Sequence, residues 1–179
     1  MNRYLLVLIV LGFCCLEIHV AQTQQKSVSF KKLQEFLPKI DLPGYKRGKP
    51  GGQSSTAMGM STSEAKLAYE KVIDEMTTHR IDITISDVIG VPFAAAGISM
   101  LGTTEFENET EDGYEKSVKI HGYPGTERAQ TGEYKSCEIS LAVGNRFMVT
   151  LHGDGTGDAG LLKKLLDNMK LADLAKLAQ

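Results

Sequence analysis

Few side chains in this 179-residue sequence combine a chemistry-capable type with a chemistry-capable spacing. Its four histidines, His19, His79, His121 and His152, form no i, i+4 pair and stand at no Cys/His spacing of a zinc site. No metal site is expected. The G-x-S-x-G turn that exposes a nucleophilic serine is missing, since Gly97-Ile98-Ser99 sits in an apolar run without glycines in register. What remains for catalysis is a dispersed arrangement in which His121 or His152 meets a carboxylate in space and acts as a general base. Cys137, in "EYKSCEISLAV", stands in an alternating pattern and reads as a small buried hydrophobe rather than a nucleophile.

The segment "GTGDAG", Gly155 to Gly160, matches G-x-G-x-x-G. A dinucleotide turn needs a second parallel strand beyond its helix and an acidic residue about 20 positions on to reach the ribose. Only 19 residues follow Gly160, and they carry a helical pattern to the end. A calcium loop starting at Asp154 would place Ala159 where glycine is required and Leu165 where the closing Glu belongs. The segment therefore reads as a strand-to-helix connection in which Asp158 or Asp154 caps the helix, and no cofactor is expected. The acidic run "TTEFENETEDG" also lacks a calcium register and reads as a solvated loop with a turn at Asp112-Gly113.

Composition sets the frame around these residues. The chain is 42% hydrophobic and 23% charged, with 20 basic and 22 acidic side chains and a net charge of -2, so no overall field draws it to nucleic acid or anionic lipid. The cluster "YKRGK", Tyr45 to Lys49, reads as a solvated loop. At the start, Arg3 precedes an apolar run from Tyr4 to Leu16, and Ala21 follows where a small-residue cleavage site belongs. The run is shorter than the roughly 20 residues needed to span a bilayer, so residues 1–21 read as a cleaved signal peptide, with no transmembrane span in the mature chain. Cys14 and Cys15 do not follow the small residue of a lipoprotein box, so a lipid anchor is unsupported. Processing would leave Cys137 without a partner for an intramolecular disulfide.

The elements that must position everything else follow from periodicity. Residues 22–56 are expected as an amphipathic helix, with Phe30, Leu33, Phe36 and Leu37 at helical spacing and Pro38 as a stop, followed by the Gly/Pro-rich loop "DLPGYKRGKPGGQSST". Residues 57–179 are expected as a single α+β domain. Ser63 to Met76 fits strand or helix; strand is favoured for its first half. In "HRIDITISDV", Ile81, Ile83 and Ile85 point one way and Asp82, Thr84 and Ser86 the other. "GVPFAAAGISMLG" reads as a short central helix, either buried or a helical crossover. "YEKSVKIHGY", "TERAQ", "GEYKSCEISLAV" and "RFMVTLHG" read as antiparallel strands split by "YPG", "TG" and "GN". A C-terminal helix or bent pair carries the stripe Leu161, Leu162, Leu165, Leu166, Met169, then Leu171, Leu174, Leu177. The expected fold is α+β, a mainly antiparallel sheet of about five to seven strands packed by N-terminal, central and C-terminal helices.

The pieces "AMGMSTSEAKLAY", "ITISD", "YEKSVKIHGY", "VGNRFMVTLHGDG" and "KLADLAKL" resemble a family of uncharacterised secreted bacterial envelope proteins, and "AQTQQ" after the apolar run resembles signal peptides of Bacteroidetes. The resemblance implies a small α+β domain of the PsbP-like or Mog1-like kind, and transfers no catalytic residue. The resulting expectation is a secreted or periplasmic, non-enzymatic binding or accessory protein. Its partner would be an envelope protein or cell-wall component, with Tyr114, Tyr123 and Tyr134 as candidate contacts on a sheet face. Two alternatives stand beside it: a hydrolase-like enzyme with a dispersed His/carboxylate site, and a structural, stress-related envelope protein.

Overall fold

The computed structural model describes residues 26–57, 60–91 and 93–179, so the expected signal peptide, with Cys14, Cys15 and His19, lies outside the described residues. Helix α1 (Phe30–Leu33) is capped by the Ser29 hydroxyl on the Lys32 N–H and runs on as one 3-10 turn, Gln34–Phe36, which buries Leu33 and Phe36. The strands are β1 (Lys46–Arg47), β2 (Gly51–Ala57), β3 (Met60–Val72), β4 (Thr78–Asp87), β5 (Glu107–Thr110), β6 (Gly113–Ile120), β7 (Tyr123–Gln130), β8 (Ser136–Val143) and β9 (Phe147–Asp154). Helix α2 (Ala94–Leu101) lies between β4 and β5, and α3 (Ala159–Leu166) and α4 (Leu171–Lys176) close the chain.

All pairings are antiparallel, in the order β1-β3-β4-β9-β8-β7-β6-β5, with β2 on the same edge of β3 as β1. Residues 88–106 carry the chain from the middle of the sheet to its far edge, and the meander β5 to β9 returns it to the side of β4. Two hairpin turns, His121-Gly122 and Gly144-Asn145, hold both central residues at positive φ, the geometry whose twist matches the strands it joins. The second was readable as "GN"; the first replaces the expected break at "YPG", which instead opens β7.

Period-2 burial divides the sheet into two faces. Ile81, Ile83, Ile85, Ile139, Leu141, Val149 and Leu151 are fully buried on one side. Leu33, Phe36, Leu37, Leu162, Leu165, Leu166 and Leu174 cover them from α1, α3 and α4. Each such side chain contributes about 1.5–3 kcal/mol of transfer free energy. Tyr69 joins this core and its hydroxyl donates to the Ile40 carbonyl at 2.7 Å. The opposite face is polar.

Three expectations change. The sheet has nine strands among the described residues rather than five to seven, and it dominates the few short helices of this α+β fold. The additional strands are β1 and β2 in the Gly/Pro-rich stretch and β5 in the acidic run; all three lie on sheet edges, where backbone pairing with β3 or β6 stands in for apolar alternation. Helix α2 is short and central as expected but is not buried: Ile98 is covered, while Phe93 just before it is 89% exposed and Met100 is 65% exposed. The C-terminal stripe forms the bent pair.

One buried ion pair ties the chain ends to the sheet. Continuing the inward series Ile81, Ile83, Ile85 by two places puts Asp87 inside, at 1% exposure. Its carboxylate accepts from Arg146 Nε at 3.1 Å and Nη2 at 2.8 Å, from the Val28 N–H at 2.7 Å and from the Ile89 N–H at 3.1 Å. Arg146 also donates to the carbonyls of Lys26 at 3.1 Å and Leu177 at 3.2 Å. Truncating one member of such a pair leaves a buried charge uncompensated. Arg146→Met is expected to lower the unfolding free energy by about 3–5 kcal/mol, read from the shift of the urea midpoint at unchanged m-value.

Candidate functional site

The open face of the sheet carries the outward residues of every long strand, arranged in rows by the register. One row runs Asp82, His152, Glu138, Arg128, Glu115 across five strands. Its charges alternate around the histidine, with His152 Nδ1 3.4 Å and Arg128 Nη2 3.8 Å from the Glu138 carboxylate. Arg80, one step along β4, holds Asp82 at 2.7 Å and pairs with Glu70 of β3. The next row consists of hydroxyls: Thr84, Thr150, Ser140, Thr126, Ser117. Ser140 and Thr150 hydrogen-bond each other at 3.2 Å. Strand spacing of about 4.8 Å sets these donors and acceptors in a regular array.

Two histidines meet carboxylates in space. His152 pairs with Glu138, and His121 Nε2 lies 2.9 Å from Asp167 Oδ1. The second pair is half-exposed and joins the His121-Gly122 turn to the end of α3, a fastening role. The first is an acid–base pair in type, but the neighbouring Ser140 and Thr150 hydroxyls face each other, so it has no hydrogen-bonded nucleophile. His79 packs against Gly155, where an added Cβ would lie 2.4 Å from its ring. That contact and its φ of +77° account for the glycine that opens "GTGDAG". Asp158 caps α3 by accepting from the Gly160 N–H at 2.9 Å.

Tyr114 and Tyr123 do not lie on the open face. Both are partly buried against the helix-side core, where the Tyr114 hydroxyl donates to Glu127 at 2.7 Å and that of Tyr123 to the Leu171 carbonyl at 3.4 Å. Tyr134, in the connection between β7 and β8, is 82% exposed. The three are thus not brought together as one surface.

A second polar cluster sits under α3. Glu127 is 1% exposed; one carboxylate oxygen takes the Tyr114 hydroxyl and the other has the Lys163 ammonium at 2.8 Å, reaching in from a half-exposed stem. Burial works to raise the Glu127 carboxyl, but hydrogen bonds from Lys163 and Tyr114 and the charges of Lys163 and Lys116 outweigh it and hold the group below its ordinary value. Burial first, then the Glu127 hydrogen bond, pushes the Tyr114 hydroxyl up to about 12. Cys137 is 1% exposed, and burial, reinforced by the Asp158 charge, pushes its thiol up to about 11. The cluster fastens α3 to β7 and keeps the thiol inert.

A surface groove of about 610 Å³ lies between the end of α2 and β6, bounded by Leu101, Phe106, Val118, Lys119 and Pro124. No three His, Cys, Asp or Glu side chains gather at metal-binding distance among the described residues. No helix among them is long and apolar enough to cross a membrane. The pairs missed from sequence, Asp87–Arg146 and Glu127–Lys163, had a faint signal: each acid falls on the inward phase of its strand, after Ile85 and between Gly125 and Ala129. The fold is of the α+β class, an antiparallel sheet with one face under helices. Comparison of the chain with protein-family models, curated proteins and solved structures found no match.

Two outcomes follow from the buried cluster. With its folded value lowered, Glu127 contributes stability that is fully present above the unfolded carboxyl value near pH 4.3 and is lost as pH falls through the lower folded value. Glu127→Gln is therefore expected to lower the unfolding free energy by about 1 kcal/mol at neutral pH, the half-exposed Lys163 being partly screened. Urea titrations should show that difference vanishing in acid. The folded protein is expected to resist iodoacetamide at about pH 8, with Cys137 labelled only in urea.

Proposed function

We propose that the protein is a secreted or periplasmic envelope protein that works by binding, with the open face of its sheet as the contact surface. The observation that carries this reading is the pair of neighbouring rows on that face: Asp82, His152, Glu138, Arg128 and Glu115, and the hydroxyls of Thr84, Thr150, Ser140, Thr126 and Ser117. A regular array of charged and hydroxyl groups suits an extended polar partner, a cell-wall glycan or the surface of another envelope protein. The N-terminal apolar run and the small-residue site after it support export.

The His152–Glu138 pair favours a second reading, a hydrolase-like enzyme that uses His152 as base. A substrate would have to bring its own nucleophile or water to this face. The structural, stress-related role needs neither row.

The test is crosslinking of the tagged protein in the envelope together with co-sedimentation on isolated cell-wall sacculi. Under the binding reading, Arg128→Ala combined with Glu138→Ala weakens capture by about tenfold or more, equivalent to about 1.4 kcal/mol, at an unchanged melting temperature. Capture insensitive to these changes removes the open face as the contact. Loss of a cellular phenotype on His152→Gln alone, with capture intact, moves the assignment to the enzyme.

A further inference from the structure

Among the described residues both edges of the sheet lack a further strand, and they carry opposite charge. At one edge β1 and the residues after it present the exposed Lys46 and Lys49, with the half-buried Arg47 between them donating to the Pro38 carbonyl at 3.0 Å, and lead into the exposed and uncharged β2. At the other, β5 and its flanks present Glu105, Glu107, Glu109 and Glu111, all exposed. Each edge strand pairs on one side only, so alternate backbone N–H and C=O groups face outward. From Gly52 onward β2 offers such a margin, while Gln34 already donates to the Gly51 carbonyl at 2.9 Å.

We infer that these two edges are the complementary halves of one interface, and that copies of this chain associate head to tail, β5 of one against β1 and β2 of the next, extending the sheet.

Direction, register and charge support the same geometry. Strands alternate strictly across eight positions, so the two edges run in opposite directions. A neighbour in the same orientation therefore meets β5 antiparallel, with its helices on the same side. One row of cross-strand partners runs from Arg47 through Tyr69 and Ile81 to Tyr114 and Glu109, placing Arg47 and Glu109 on the same face at opposite ends. The neighbour's Arg47 then lies across from Glu109. Symmetric alternatives are disfavoured, because β5 against β5 opposes four carboxylates to their own copies and β1 against β1 opposes cations. Charge thus selects the heterologous contact, which builds chains of copies unless its rotation closes a ring. The inference stands apart from what the open face binds, although joined copies would present that face repeatedly.

Sedimentation velocity of the purified protein tests it. The weight-average mass is expected to rise with concentration at about 0.05 M salt and to fall to that of one chain at about 1 M, where screening reaches within about 3 Å. Glu107→Lys with Glu109→Lys, and separately Lys46→Glu with Lys49→Glu, each abolish the larger species while far-UV circular dichroism stays unchanged. An equimolar mixture of the two variants restores it, because each supplies the edge the other has inverted. A wild-type protein that stays monomeric throughout, an association that persists at high salt, or a mixture that fails to restore it overturns the inference. The salt series on the unmodified protein decides even if a variant misfolds.

Discussion

The carboxylate of Asp87, 1% exposed, is surrounded by two nitrogens of Arg146 and by the N–H groups of Val28 and Ile89. Burying that charge is costly, and only simultaneous placement of all its donors compensates the cost. Those donors and the carbonyls that Arg146 holds come from the N-terminal segment, the end of β4, the β8–β9 turn and the end of α4. The pair thereby specifies how four separate pieces of chain meet at one end of the sheet. Its contribution is specificity more than stability: most of the favourable free energy comes from the isoleucines and leucines between sheet and helices.

From that constraint the two faces acquire different roles. With α1, α3 and α4 held over one side, the other is left to solvent except where α2 rests on it by Ile98. Glu127 repeats the principle beneath α3, a buried carboxylate that accepts a tyrosine hydroxyl and is ion-paired with a half-exposed lysine. Both buried acids serve assembly. The rows of the open face and the charged margins of the sheet lie outside these two buried clusters.

The elements with internal periodicity were legible in the chain alone. Ile81, Ile83 and Ile85 announce β4, the leucines after Gly160 announce the C-terminal helices, and "GN" announces a hairpin. β1, β2 and β5 were not, because an edge strand with two wet sides has no apolar alternation to display. Helix α2 lies on the crossover from β4 to β5, one of its two expected forms, and only its burial was not legible, since low charge and alanine content look the same whether a helix is buried or lies on the surface. Tyr114 and Tyr123 were legible as strand residues, but which face they take depends on register with β7 and on where the helices dock.

Sequence by itself determined the strand and helix phases, the buried character of Cys137 and the capping of α3 by Asp158, all of which depend on neighbours a few residues away. Tertiary structure alone decided which acids meet which bases. Asp87 finds Arg146, Glu127 finds Lys163 and Glu138 finds His152 across separations that no local pattern encodes. The physical reason is that a side chain's face is set by a two-residue repeat, whereas its partner is set by strand order and register, which emerge only when the whole sheet closes around its core.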